Sequence, residues 1–330
     1  MGTRRYRALV TGGAGFIGSH LAQRLVADGH AVRVVDNLST GFRENVDAIG
    51  PGVEFLEGDL RDRATCDAAV RDVEVVFHVA ALPSVPRSLR DPIASHESNV
   101  TATLNVIEAA RQARVRRVVY SSSSSVYGDT SVLPKTEPVE LLPRSPYAAA
   151  KLAGEHYVLA YARAGLVEGV ALRYFNVFGP RQDPNGPYAA VIPLFMRSAL
   201  TGATVPLYGD GSQTRDFTYI DNVVDANLLA VDGPAARVSG AVVNCGAGQR
   251  TSLLQLIAHI EEMTGRQVKV EQRPPREGDV RDSQAGLDRA RALLGYTPRV
   301  SLPEGLRRTW AWMQTTAAAD DATPALFDAS

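Results

Sequence analysis

Tyr147 and Lys151 stand four positions apart in the run Tyr147-Ala-Ala-Ala-Lys151, a spacing that puts both side chains on one helical face. A free phenol has a pKa of about 10 and is a poor base at neutral pH. A lysine ammonium one turn away favours the phenolate, and a phenolate can take a proton from an alcohol. Ser145-Pro146 just ahead reads as a helix start with proline in its first turn. The second group able to do chemistry is the serine run Ser121 to Ser125, which ends an apolar strand read over Val115 to Tyr120. Ser123, four residues before Tyr127, can hold a substrate oxygen as its charge changes. Taking a proton from an alcohol oxidises it only if hydride leaves the same carbon, so this chemistry needs a hydride carrier and a cradle to hold it.

The stretch Tyr6 to Asp36 has the form of such a cradle. Ala8-Leu9-Val10 reads as a buried parallel strand, broken by Thr11-Gly12-Gly13. Gly12, Gly15 and Gly18 follow at three-residue spacing, and Phe16, Ile17, Leu21, Leu25 and Val26 carry helical periodicity down to Gly29. A second apolar run, Ala31 to Val35, ends in Asp36. Strand, glycine turn, helix, strand and acid make half of a dinucleotide-binding unit. The glycines let the backbone turn tightly and approach a pyrophosphate, to which the helix N-terminus offers free N–H groups. Asp36 lies 18 residues after Gly18, where a carboxylate accepts from both hydroxyls of an adenine ribose and repels a 2′-phosphate. The cofactor expected is therefore NAD, and its positive nicotinamide ring would favour the Tyr147 phenolate further.

The elements that must position these groups alternate along the chain. Strands are expected at Val53–Leu56, Val75–Val79 and Val170–Phe175, with helices near 62–71, 92–111 and from Pro146. Alternation of this kind makes an α/β fold, a Rossmann-type doubly wound parallel sheet with right-handed crossovers. Its ligands sit beyond the carboxyl ends of the strands, which is where the serine run falls. Asn37 opens a turn-rich segment on the cofactor side, and Ala80-Ala81 are small enough to let a cofactor approach. Asp59 reads either as an acceptor for an adenine amino group or as the N-cap of the helix at 62–71. His78, inside an apolar run, reads as a core histidine with satisfied hydrogen bonds. From Asn176 onward the texture turns Gly/Pro-rich, with a short helix about Tyr188–Leu200, strands at Val205–Tyr208 and Asp216–Ile220, and helices near 252–263 and 287–294. A helix from Asp221 and a strand at Val242-Val243 are expected to return to the sheet.

Composition sets the outer bounds. Lys+Arg 35 against Asp+Glu 36 gives a net charge of −1, which argues against general attraction to nucleic acid or an anionic membrane. No apolar run approaches about 20 residues, so no membrane span is expected. The first strand begins within a few residues of Met1, which leaves no room for a signal peptide. Cys66 and Cys245 have no paired spacing and read as reduced, buried thiols of a cytoplasmic protein. No metal site is expected.

Taken together, Thr11-Gly-Gly-Ala-Gly-Phe-Ile-Gly18, Ser123 and Tyr147-Ala-Ala-Ala-Lys151 resemble the extended short-chain dehydrogenase/reductase superfamily, over about residues 5–315. Within it, Arg173-Tyr-Phe-Asn-Val-Phe-Gly179, Arg181-Gln-Asp-Pro-Asn-Gly186, Tyr188-Ala-Ala-Val-Ile-Pro193, Asp210-Gly-Ser-Gln-Thr-Arg-Asp-Phe217 and Arg276-Glu-Gly-Asp279 are similar to UDP-hexose 4-epimerases, especially those acting on UDP-N-acetylglucosamine as well as UDP-glucose. The resemblance implies a Rossmann domain over 1–174, with 221–245 returning to it. It implies a UDP-sugar lobe from 175–220 and 246–316, and a frayed tail at 317–330. The expected catalytic residues are Ser123, Tyr147 and Lys151. NAD is expected against Gly12, Gly15, Phe16, Ile17, Asp36, Asn37, Asp59, Leu60, Ala80, Ala81, Asn99, Tyr147 and Lys151. The UDP-sugar is expected against Ser124, Asn176, Ala190, Val191, Val205, Tyr208, Arg215, Arg276, Asp279 and Ser283. In that set Asn176, Arg215 and Arg276 are implied to meet the diphosphate, Val205 to Tyr208 the uracil, and Asp279 a ribose hydroxyl. Two arginines on a diphosphate make fork-shaped contacts that lysine would not reproduce. Such proteins commonly pair two long helices per subunit into a homodimer, here those at about 91–111 and 146–164.

Two departures inside the superfamily sort the reaction. Sugar-nucleotide 4,6-dehydratases resembling this chain carry an Asp-Glu pair where Ser124 and Ser125 stand, and hydroxyls cannot act as that carboxylate pair. UDP-glucuronate decarboxylases usually place a glutamate in the same loop, and none is present. A 4-keto sugar without an outlet must take its hydride back at the same carbon, which makes the reaction an epimerisation with NAD⁺ regenerated. In related epimerases the position four beyond the Arg-x-Gly-Asp aspartate gates the sugar pocket, and Ser283, small, stands there. This implies that N-acetylated sugars are admitted. The competing readings are a UDP-uronate 4-epimerase in which Arg181 meets a carboxylate, a UDP-uronate decarboxylase or net dehydrogenase, and a non-enzymatic sensor of the same fold. The intact Ser123, Tyr147 and Lys151 argue against a sensor.

Overall fold

A computed structural model describes residues 5–184, 189–275 and 280–322. Seven strands form one sheet, all of them paired in parallel. In chain order the first six are β1 (Arg7–Thr11), β2 (Ala31–Asp36), β3 (Val53–Glu57), β4 (Val75–His78), β5 (Arg117–Ser123) and β6 (Glu168–Tyr174), and the seventh is Ala241–Cys245. Across the sheet the order is Ala241–Cys245, β6, β5, β4, β1, β2, β3. The order reverses between β1 and β4, and a crevice opens beyond the carboxyl ends of those two strands.

The sheet is apolar on both faces because helices cover both. Alternate residues point to opposite sides. Leu9, Val35, Val76, Val118 and Ala171 pack into one cluster, while Ala8, Val10, Val34, Phe77, Val119 and Val170 pack into the other. That demand explains why these strands read as continuous apolar runs rather than alternating ones. The helix α1 (Phe16–Ala27) follows the glycine turn directly. A helical stretch runs from Pro92 to Gln112, broken in register by a wider turn at Glu97–Thr101, and packs against the helix Pro146–Arg163.

Three features depart from the sequence reading. The strand Val270–Arg273, exposed at every residue, pairs in parallel with Val205–Tyr208. It carries no burial pattern that a periodicity argument could detect. The strand expected over Asp216–Ile220 is instead two short pieces, Thr214–Arg215 and Thr218–Tyr219, and the helix starts at Ile220. The last helix, Leu302–Ala322, continues past Ala317, where a frayed tail was expected.

Candidate active site

Gly12 has φ +68°, and a Cβ there would lie 2.7 Å from the Ala80 Cα, so β1 can approach the end of β4 only through glycine. Gly18 lets α1 close onto the turn, since its Cβ would stand 2.2 Å from the Gly12 carbonyl oxygen. Gly15 differs. Its Cβ would meet only that same carbonyl, at 3.2 Å, and its open side faces a cavity. The N-terminus of α1 has neither a side-chain cap nor an acid in its first turn, leaving its N–H groups for an anion.

Asp36, at the end of β2, is fixed by its own surroundings. The Ala14 N–H donates to one carboxylate oxygen at 3.0 Å and the Leu38 N–H to the other at 2.9 Å. Burial raises its pKa and these backbone donors pull it back. Each oxygen keeps a lone pair for a ligand hydroxyl. Asp59 accepts from Arg61 Nη2 at 2.8 Å and from Asn37 Nδ2 at 3.0 Å, and the Arg61 bonds hold its pKa near 2. The helix N-cap is Asp62 and not Asp59: the Asp62 carboxylate accepts from Ala64 and Thr65 N–H.

One cavity of about 670 Å³ joins these groups to the proton chemistry. Among its walls are Gly12, Gly15, Phe16, Ile17, Asp36, Asn37, Asp59, Leu60, Ala80 and Ala81 at one end, and Ser123, Ser124, Tyr147, Lys151, Asn176, Ala190, Arg215 and Ser283 at the other. Ser123 ends β5. Tyr147 and Lys151 lie on the helix that Ser145 caps, its Oγ accepting from the Ala148 N–H at 3.1 Å, with Pro146 in the first turn. Burial raises the Tyr147 pKa, and a hydrogen bond from Ser123 opposes the rise. Burial lowers Lys151 to about 7, and the Glu155 carboxylate resists that fall. The Lys151 ammonium rests 4.6 Å from the centre of the Tyr120 ring. In the folded chain burial is the largest influence on both groups, and the Ser123 hydrogen bond opposes it at the phenol.

The strand bearing the serines is braced from beneath. Ser122 Oγ donates to Glu155 at 2.7 Å, and Arg173 makes two bonds to the same carboxylate, at 3.0 and 2.6 Å. Glu155 and Arg173 are both buried, so the pair is paired and hydrogen-bonded as a buried charge must be. His78 is held on both ring nitrogens, by Thr11 at 2.8 Å and Thr103 at 2.9 Å. The Thr103 hydroxyl donates to the Asn99 carbonyl, so His78 Nε2 carries the proton and Nδ1 accepts from Thr11. Burial pushes its pKa down to about 3, and the ring stays neutral.

Four of the expected residues do not line this cavity. Asn99 is buried below the cavity wall, its amide oxygen accepting from the Leu82 N–H at 2.9 Å and its amide nitrogen donating to the Leu82 carbonyl at 3.1 Å. It shapes the loop after β4 and does not line the cavity itself. Val205 is buried in the core because alternate residues of its strand face inward. Val191 begins the helix Val191–Thr201, and its neighbour Ala190 is the one that reaches the cavity. Tyr208 lines a second hollow of about 650 Å³ with Gln272, Arg273 and Pro275, which shares Arg215 and Val280 with the first. Arg276 and Asp279, and the turn residues 185–188, lie outside the described residues. Asn176 has φ +27°, a strained value for a non-glycine residue, and its Nδ2 donates to the Asp216 carbonyl at 3.4 Å. Ser283 is buried against the cavity, and its Oγ has no hydrogen-bond partner among the described residues. Arg181 also lines the cavity and donates to Gln23 Oε1 at 2.7 Å, while Lys135, Arg61 and Arg144 are wall residues that spacing in the sequence does not reveal. Among the described residues no cluster of His, Cys, Asp or Glu is placed to hold a metal, and no helix is long and apolar enough to cross a membrane.

The glycine cradle, the uncapped helix end and the Asp36 oxygens fit a dinucleotide, and the cavity continues from them to the phenol. Comparisons with known proteins point the same way. The chain is 44% identical over 307 residues to a UDP-glucose 4-epimerase of Mycolicibacterium smegmatis, covering 92% of this chain and 97% of that protein. Its structure is similar to the crystal structure of a Thermotoga maritima UDP-glucose 4-epimerase with UDP-glucose, at TM-score 0.89 and 38% identity, covering 94% of this chain and 99% of the other. It is also similar to a UDP-N-acetylglucosamine 4-epimerase from Methanobrevibacter ruminantium M1, at TM-score 0.88 and 36% identity, covering 95% and 100%. Residues 8–246 match the family model described as the NAD dependent epimerase/dehydratase family, and with a cradle, a carboxylate and a tyrosine on one cavity to account for that match, the chain belongs to that family.

Proposed function

We propose that this protein inverts C4 of a UDP-hexose through a 4-keto sugar, using NAD that it keeps between turnovers. The observation that carries the reading is the single cavity that the glycine cradle, Asp36, Ser123, Tyr147 and Lys151 all line, with serines at 124 and 125. Asp36 would hold the adenine ribose, and the N–H groups at Gly15 to Ile17 the pyrophosphate. NAD, when bound, supplies the acceptor and donor of the C4 hydride.

The chain's own residues do the rest. Tyr147 takes the proton from the C4 hydroxyl and later returns it. Ser123 hydrogen-bonds the oxygen whose charge changes, and its bond to Tyr147 favours the phenolate. Lys151, able to titrate near neutrality, supplies positive charge behind the phenol. Ser124 and Ser125 offer no carboxylate to pull a proton from C5, so the keto sugar is not drained by elimination. Asn176 and Arg215 face the diphosphate, Ala190 the sugar, and Tyr208 the uracil. Ser283 leaves room for an N-acetyl group and offers it a hydroxyl, so UDP-GlcNAc and UDP-glucose are both substrates.

The reading includes a cytoplasmic homodimer. Cys66 and Cys245 are free and buried, which suits a reducing compartment. Ile93, 68% exposed, and Tyr157, 37% exposed, stand on the two packed helices that would pair between subunits. The test is to mix the purified protein separately with UDP-GlcNAc, UDP-glucose and UDP-glucuronate, without added NAD, and follow the C4 epimers by NMR. Epimers of the first two, reaching the same equilibrium from either side, are expected. CO₂ release or free NADH in place of epimers would move the assignment to a decarboxylase or dehydrogenase.

A further inference from the structure

Lys135 is buried, 1% exposed, and lines the active-site cavity, yet the chemistry above makes no use of it. An isolated bridge to Ala285 places it there: the Lys135 N–H donates to the Gln284 carbonyl and the Gly286 N–H to the Lys135 carbonyl, each at 2.8 Å. In such a pairing alternate residues face one side, so Lys135 and Ser283 open toward the same space. The Lys135 ammonium donates to the Gly128 carbonyl at 2.9 Å, just beyond the serine turn, which leaves N–H donors for a ligand. Among the described residues no carboxylate reaches it within ion-pair distance; Asp129 and Asp282 attract it from farther off. Arg215, on the same cavity, repels it, and burial brings its pKa down to about 8. Two cations brought toward one hollow, one of them buried with no contacting anion among the described residues, are costly unless an anion sits between them.

We infer that Lys135 binds the diphosphate of the nucleotide sugar on its sugar-proximal side, sharing that anion with Arg215. The inference rests on the reading of the cavity as a UDP-sugar site. It makes Lys135 a binding residue that works with the arginines: a point charge at the phosphate next to the sugar, where the guanidinium forks take the remaining oxygens.

The test is calorimetric titration of the NAD-loaded protein with UDP and with UMP, which lacks the phosphate nearest the sugar. Lys135→Met should weaken UDP by about tenfold or more and leave UMP within about threefold. Lys135→Gln, which keeps a donor for Gly128, should show the same selectivity and decides the matter if the methionine variant melts early. Unchanged UDP binding in a folded variant overturns the inference, as does equal weakening of UDP and UMP, which would mark a structural role. Weakening confined to UDP-glucuronate would overturn it as well, assigning Lys135 to a sugar carboxylate. A parent protein that binds no UDP at all would instead remove the UDP-sugar reading itself.

Discussion

The phenol of Tyr147 stands between burial, which keeps its proton on, and the Ser123 hydrogen bond, which helps take it off. General-base catalysis contributes about 10²–10⁴ in rate, so Tyr147→Phe should lower kcat by at least about 100-fold while UDP and NAD binding persist by calorimetry. Near-parent turnover would remove Tyr147 as the base. Ser283→Tyr should cut turnover of UDP-GlcNAc by about tenfold or more relative to UDP-glucose, read as the ratio of kcat/KM values, because a ring in place of a buried hydroxyl fills the space an acetamido group needs. His78 gives a prediction on stability. Its folded pKa, near 3, lies below the unfolded value of about 6.5, so the unfolded chain binds a proton that the folded ring refuses. The contribution is complete above about pH 6.5 and is lost as pH falls toward 3, about 2 kcal/mol by pH 5. Urea unfolding of His78→Asn between pH 7 and 5 should show that slope reduced by about one proton; an unchanged slope would contradict it.

Which residues could be read from the sequence follows from distance along the chain. Tyr147 and Lys151 share a helix face, and Ser123 ends a strand, so local spacing reveals them. Lys135 reaches the cavity only through its bridge to Ala285, and Asn99 only shapes the Leu82 loop; both depend on tertiary pairing that no local pattern encodes.

At the scale of elements, the glycine turn separates folding from binding. Gly18→Ala drives a Cβ to 2.2 Å from a backbone oxygen, so it should lower the melting temperature by several degrees or prevent folding, as overpacking against backbone does. Gly15→Ala meets that oxygen only at 3.2 Å but points into the cavity, so it should fold and release NAD at least about tenfold more readily. Thermal melts and the fraction of NAD retained after gel filtration distinguish the two; equal melting temperatures with equal retention would contradict this division of roles. The core parallel strands are legible because burial on both faces forces apolar runs, as in Val75–His78. Val270–Arg273 is invisible for the converse reason: it is exposed throughout and held by backbone pairing to Val205–Tyr208. The piecewise strands at Thr214–Arg215 and Thr218–Tyr219 are too short to show any period.

At the scale of the whole molecule, the sheet reversal between β1 and β4 brings the cofactor cradle and the proton chemistry to one crevice, while the segments after Asn176 close the other side with Ala190, Arg215 and Ser283. The helices Pro92–His96 and Pro146–Arg163, the second packed on β5 and β6, leave Ile93 uncovered; if the proposed dimer forms there, Ile93→Arg should give a monomer by light scattering, and an unchanged mass would contradict that contact. The proposed chemistry requires that hydride return to the carbon it left. The direct measurement is conversion of UDP-galactose deuterated at C4, with no NAD added, followed by NMR and mass spectrometry. The expected product is UDP-glucose carrying the deuterium at C4, with none lost to solvent and no free NADH. Loss of the label, or its appearance in released NADH, would contradict it.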